Sequence, residues 1–309
     1  MPQPRCGLIL TKKNFKRRLT HMDSVKDGLA SAKSPPVSTD KTFRTRLLVA
    51  DIFVPITAFF AIQGGIAFVV FVTLVLGVAA WEFWRIFHKG DYAPSLTVLL
   101  VFSTSAVIMR YLWGLKYFEI WIGGLLLISL FMHVLQQQRG NDKAASNLAL
   151  TVFGALYLGF LGSYAISVRF LEQGLYWTML VFPIISLADS GAYIFGRPFG
   201  KHKMLPVVSP KKSWEGYIGG IIVCGLGGWG LAALWHIACT PVLPIHGLIL
   251  GLVISVAAPL GDFGESMIKR QFNIKDSSNL LPGHGGFFDR IDSSLLAAII
   301  GYYLILLIR

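Results

Sequence analysis

Nine apolar runs, at 47–62, 66–84, 95–112, 119–135, 147–168, 175–195, 216–237, 246–268 and 293–308, occupy most of this 309-residue chain. No soluble core absorbs that many contiguous apolar segments, but a lipid bilayer does. Inside hydrocarbon the backbone N–H and C=O groups find no water and must pair within their own segment, so each run has to be a helix. A span needs roughly 20 residues, and several runs lie near the short end of that range. Only 14% of the residues are charged, against about 25% in ordinary soluble domains. The expected fold is therefore all-α: a polytopic integral membrane bundle of about nine transmembrane helices.

The net charge of +12 would suggest nucleic acid in a soluble protein. Here the Lys and Arg side chains fall between apolar runs, so they report orientation and anionic lipid or phosphate partners, with no nucleic acid among them. With the N-terminus inside, 24 of the 28 Lys and Arg residues lie on the cytoplasmic side and 4 on the other. That asymmetry predicts an N-in, C-out topology. It also places both large polar loops, 196–215 and 269–292, on the cytoplasmic face. Residues 1–46 are basic and rich in Ser and Pro, and read as a disordered cytoplasmic arm ahead of a membrane domain at 47–309. GLIL at 7–10 is too short for the apolar centre of a secretory signal, and Met22 is a second candidate start. Cys6, Cys224 and Cys239 form no C-x-x-C pair, which argues against a disulfide framework and a zinc centre. Gly216-x-x-x-Gly220 and Gly247-x-x-x-Gly251 mark close helix contacts, expected within the bundle rather than at a dimer seam.

Acidic groups inside apolar segments are costly and by default mark function. Asp189 interrupts PIISLADSGAYIFG, and Asp262 and Glu265 interrupt VAAPLGDFGESMIKR. On a helix Asp262, Ser266 and Lys269 share a face, while Glu265 and Lys269 are spaced for an ion pair, the role expected of Glu265. Downstream, PGHGGFFDRIDSS puts a Gly-rich turn just before the last apolar run. The N–H groups of such a turn suit phosphate oxygens. Asp289 and Asp292 then fall in the first helical turn, where Asp292 is expected to act mainly as a cap and Asp289 to have a functional role. In the loop GRPFGKHKMLPVVSPKKSWEG, Ser209-Pro210 reads as a helix start, which would put Lys211 and Lys212 at a helix N-terminus where an anion offsets their unfavourable position. His202 and His284 lack partner ligands at metal-binding spacing. Carboxylates with hard oxygen donors suit Mg²⁺, and Lys and Arg suit phosphate. No G-x-x-x-x-G-K-[ST] motif occurs.

The run from Ser266 through Lys269, Arg270, Lys275, Asp276, Pro282, His284, Gly285, Gly286, Asp289 and Arg290 to Asp292 resembles, at every fixed position, the signature of the phosphatidate cytidylyltransferases, also called CDP-diglyceride synthetases. DSGAYIFGRPFGKHK at 189–203 and SPKKSWEG at 209–216 are similar to that family as well, and the resemblance covers roughly 47–309. It implies a dimeric membrane enzyme of phospholipid biosynthesis that joins CTP to phosphatidate, giving CDP-diacylglycerol and pyrophosphate, with Mg²⁺ and K⁺. It further implies Asp262 and Asp289 as metal ligands, with Lys269, Arg270, Lys275, His284 and Arg290 beside them in catalysis. Ser209, Lys211, Lys212, Ser266, Asp276, Gly285, Gly286 and Asp189 are implied to bind substrate. Two rival readings are a CTP-dependent polyprenol or phytol kinase, which lacks the full signature, and an anion transporter, for which the expected internal symmetry is not visible.

Overall fold

The computed structural model describes residues 55–278, 280–281 and 285–309. The arm at 1–46 and the beginning of the first apolar run lie outside the described residues; the rest of that run is helical from 55 to 63. Every later run forms a helix. These are α1 (Gly65–His88), α2 (Leu96–Trp113), α3 (Phe118–Gln138), α4 (Ala144–Arg169), α5 (Gly174–Phe199), α6 (Trp214–Ala238), α7 (Pro244–Ala257) with α8 (Pro259–Gln271), and α9 (Phe288–Ile308). Counting α7 and α8 as one span, eight helices among the described residues are long and apolar enough to cross a membrane. The fold is a polytopic membrane helical bundle. Their outward surfaces carry large apolar side chains, such as Ile66, Leu127 and Leu307, as lipid rather than water requires.

The bundle has two cores. One joins α1, α2, α3 and α4 to the first turns of α9, around Phe83, Leu99, Leu125 and Phe288. The other joins α5, α6 and α7 to the rest of α9, around Leu180, Ile184, Leu250 and Ala297. α9 thus belongs to both. Glycine sets the spacing in the second core. A Cβ at Gly216 or Gly220 would strike the Ala192 or Ala188 carbonyl of α5, and one at Gly247 or Gly251 would strike α6 at Gly228 or Cys224. Both glycine motifs therefore serve packing within the chain.

The last helix begins at Phe288, ahead of its apolar run, with Asp289 as its second residue and Asp292 its fifth, close to the expected first turn. One helix start differs from expectation. Ser209-Pro210 does not start a helix. Ser209–Ser213 is a strand, β2, paired antiparallel with β1 (Lys203–Leu205). The helix start passes to Ser213, whose side chain accepts a hydrogen bond from the Gly216 N–H at 3.3 Å. Pairing with β1 gives residues 209–213 ladder partners, and Ser213 supplies the capping oxygen that Ser209 was expected to supply.

Candidate active site

The site begins where α8 crosses α9. Gly261 faces the Asp292 carbonyl and Ser293 Cα so closely that a Cβ would strike them. This approach gathers Asp262 and Glu265 of α8 with Asp292 of α9, one oxygen of each lying within 4.8 Å of the others. Glu265 and Asp292 are buried. Asp292 accepts the Ser293 N–H at 2.6 Å; it lies a turn inside the helix and points into this cluster, so it is not a cap.

Lys269 is one helical turn on. Its Nζ lies 3.0 Å from Glu265 Oε1 and 2.8 Å from Asp289 Oδ1. The expected Glu265–Lys269 pair is present. Asp289 is thus joined to the cluster through Lys269. Its other oxygen accepts from Ser277 N–H at 2.9 Å, Ser277 Oγ at 3.0 Å and Gly286 N–H at 2.8 Å. Both of its oxygens face donors, and the three carboxylates gathered at the crossing are Asp262, Glu265 and Asp292.

The loop between α8 and α9 is held from a distant helix. Glu82 of α1 is fully buried. Its Oε1 accepts from Ser278 Oγ at 2.5 Å and Phe287 N–H at 3.2 Å. Its Oε2 accepts from Phe288 N–H at 2.7 Å and shares with Asp289 the single proton of the Ser277 hydroxyl, whose Oγ is 3.1 Å away. The N–H groups of Gly286, Phe287 and Phe288 are therefore taken by the protein's own carboxylates, Asp289 and Glu82, while Gly283 and His284 of the expected phosphate-binding turn lie outside the described residues. The paired glycines are explained by the same contacts. Gly285 has φ +82, which disfavours a side chain, and a Cβ on Gly286 would fill the place of the Ser277 hydroxyl and the Glu82 carboxylate. Glu82 was missed in the sequence reading, yet it is an acid inside an apolar run, AAWEFW, the signal that singled out Asp189 and Asp262.

The basic hairpin closes the other side. A cavity of about 330 Å³ lies between α5, β2, α6 and the start of α8, lined among others by Asp189, Tyr193, Arg197, Lys211 and Lys212. Lys212 forms an ion pair with Asp262 and lies 4.7 Å from the Phe263 ring centroid. Asp262 therefore joins the cationic cavity to the carboxylate cluster. Asp189, Lys211 and Lys212 share that cavity, whereas Ser209 is half-buried at the start of β2 and is not among its lining residues. Ser266 is half-buried on α8, and Arg270, Lys275, Asp276 and Arg290 are exposed around the loop. His284 lies outside the described residues.

The charge balance bears on a divalent metal. Among the described residues, Asp262, Glu265, Asp289 and Asp292 meet two ammonium groups, Lys212 and Lys269. With all four carboxyls ionised two formal negative charges remain, and the buried ones, Glu265 and Asp292, need partners to stay charged. Three carboxylates with hard oxygen atoms close together fit Mg²⁺.

The model of the Cytidylyltransferase family matches residues 44–308. The phosphatidate cytidylyltransferase of Bacillus subtilis (strain 168) is 31% identical over 271 residues, covering 85% of this chain and 98% of its own. That of Mycobacterium tuberculosis (strain ATCC 25618 / H37Rv) is 31% identical over 241 residues, 75% of this chain and 72% of its own. That of Staphylococcus haemolyticus (strain JCSC1435) is 30% identical over 265 residues, 81% and 92% of the two chains.

Proposed function

The chain belongs to the cytidylyltransferase family, and from that premise we propose how its own residues carry the transfer. It is a nucleotidyltransferase of phospholipid biosynthesis that moves the cytidylyl group of CTP onto phosphatidate, giving CDP-diacylglycerol and pyrophosphate. The observation that carries the residue-level reading is Asp262, bonded to Lys212 of the cationic cavity and grouped with Glu265 and Asp292. Anion-binding and cation-binding groups meet at one side chain.

Phosphatidate brings a phosphate monoester that is largely dianionic near neutral pH, since its second pKa is about 6. Its oxygen attacks the α-phosphorus of CTP while the bond to the leaving pyrophosphate breaks, and no side chain has to remove a proton. The barrier is repulsion between two polyanions, so the protein's contribution is alignment and charge. Lys211, Lys212 and Arg197 hold phosphate oxygens in the cavity. Lys269, held by Glu265 and Asp289, keeps a fixed positive charge beside the carboxylate cluster. Asp262, Glu265 and Asp292 would hold Mg²⁺, which when bound supplies charge neutralisation to the phosphates. In this reading Asp289 orients Lys269 and the loop. The Lys and Arg asymmetry supports a site on the cytoplasmic face. A homodimer is also part of the proposal, tested by cross-linking in native membranes.

The test is pyrophosphate release by purified protein, with CTP, phosphatidate and Mg²⁺ each omitted in turn. All three should be required. Turnover without phosphatidate, or transfer of a single phosphate to a polyprenol, would overturn the assignment.

A further inference from the structure

α5 and α6 are both long enough to cross the bilayer and are joined only by residues 200–213, so the β1–β2 hairpin sits at the membrane edge. Its composition is one-sided. From 197 to 212 the chain has five Lys and Arg residues and no Asp or Glu. At the tip of this basic ribbon lie Leu205, Pro206, Val207 and Val208. Val207 is 88% exposed and Leu205 40%. At the base, Phe199 and Trp214 are also exposed. A two-stranded hairpin is marginal in water by itself, and an apolar tip adds to that cost unless a surface covers it. The surface that matches an apolar tip with a basic surround is an anionic bilayer interface, where lipid headgroups meet acyl chains.

We propose that this hairpin is seated in the anionic headgroup layer, with Leu205 and Val207 at the acyl boundary, and that it draws the lipid phosphate substrate from the bilayer into the cavity. The second half of the proposal follows from the hairpin's place in the cavity wall. Met204, Lys211, Lys212 and Ser213 all line the cavity. A lipid whose chains rest against the tip therefore has its phosphate within one strand length of Lys211 and Lys212. This step rests on phosphatidate being the substrate; the seating of the tip does not.

Two measurements test the two halves separately. For the first, the full chain carrying Cys6→Ser and Val207→Cys is labelled at position 207 with an environment-sensitive fluorophore; Cys224 and Cys239 are buried. It is then placed in phosphatidylcholine vesicles with and without phosphatidylglycerol. Quenching by spin-labelled lipid, stronger with phosphatidylglycerol, is expected. Quenching by aqueous iodide alone, or self-quenching between two labelled copies, would overturn the seating. For the second, Leu205→Asp and Val207→Asp should raise KM for long-chain phosphatidate in vesicles about tenfold, the effect of losing contacts of about 1.4 kcal/mol. KM for CTP, and kcat with a short-chain water-soluble phosphatidate, should stay within about twofold. Equal loss on both lipid forms, or no loss on either, would refute the role in substrate capture whether or not the label lies in lipid. Failure of the wild-type protein to turn over either lipid would strike the functional reading instead.

Discussion

Replacing Glu82 by Gln exchanges one oxygen for an NH₂ group and tests the loop anchor. Each oxygen of Glu82 faces one serine hydroxyl and one backbone N–H: Ser278 and Phe287 at Oε1, Ser277 and Phe288 at Oε2. Glutamine offers one oxygen and one NH₂ group. A serine hydroxyl can rotate to accept from that NH₂, but a backbone N–H cannot. Either amide orientation therefore sets a donor against the N–H of Phe287 or Phe288. One buried N–H loses its partner, at about 1–3 kcal/mol, and the hydrogen bonds that remain lose their assistance from a charge. A local cost of about 2–4 kcal/mol follows. It falls on the segment that carries Ser277, Gly286 and Asp289, and so on the placement of Lys269. Hydrogen exchange across residues 276–290 should quicken while α2 and α5 stay protected, as expected of local opening. At 1.4 kcal/mol per factor of ten, kcat should fall roughly 30-fold or more, with KM for CTP changed much less. Protein that folds normally in detergent, exchanges at the wild-type rate in this loop and keeps wild-type kcat would refute the reasoning.

Asp262→Asn and Asp292→Asn should each raise the Mg²⁺ concentration for half-maximal activity by about tenfold or more, since each removes a hard ligand. Asp289→Asn should lower kcat with little change in the Mg²⁺ requirement, and a Mg²⁺ titration showing the reverse pattern would place the metal on Asp289. Lys211→Ala and Lys212→Ala should raise KM for CTP or phosphatidate more than they lower kcat; steady-state kinetics with each substrate varied would reveal unchanged constants if the hairpin only marks topology. Gly261→Ala should destabilise by about 1–3 kcal/mol, the usual cost of overpacking, because its Cβ meets α9 backbone at Asp292. A thermal melt in detergent, read together with Mg²⁺ dependence, would show whether the crossing tolerates that methyl group.

The membrane bundle was legible in the sequence because hydrocarbon leaves the backbone one local solution. A long apolar run must satisfy its own N–H and C=O groups, so periodicity and partner choice hardly enter, and every described run is helical. The signature between Ser266 and Asp292 was legible too, because its spacing is a property of the chain. The glycine motifs gave the close contacts of α5, α6 and α7, since a missing Cβ is visible in one dimension. The hairpin at Ser209–Ser213 was not: Ser-Pro reads equally well as a helix start, and only pairing with Lys203–Leu205 selected the extended form. Nor did the sequence say which carboxylates meet. Asp289 and Asp292 differ by three positions on one helix, yet one is joined to Lys269 and the loop, while the other joins Asp262 and Glu265. Glu82 reaches Phe288 across 206 residues. Local sequence sets the faces a helix presents. Which faces touch is set by where two backbones come closest, here at Gly261 on α8 and through the part of α9 that packs against α1, and those contacts exist only once the whole bundle has formed.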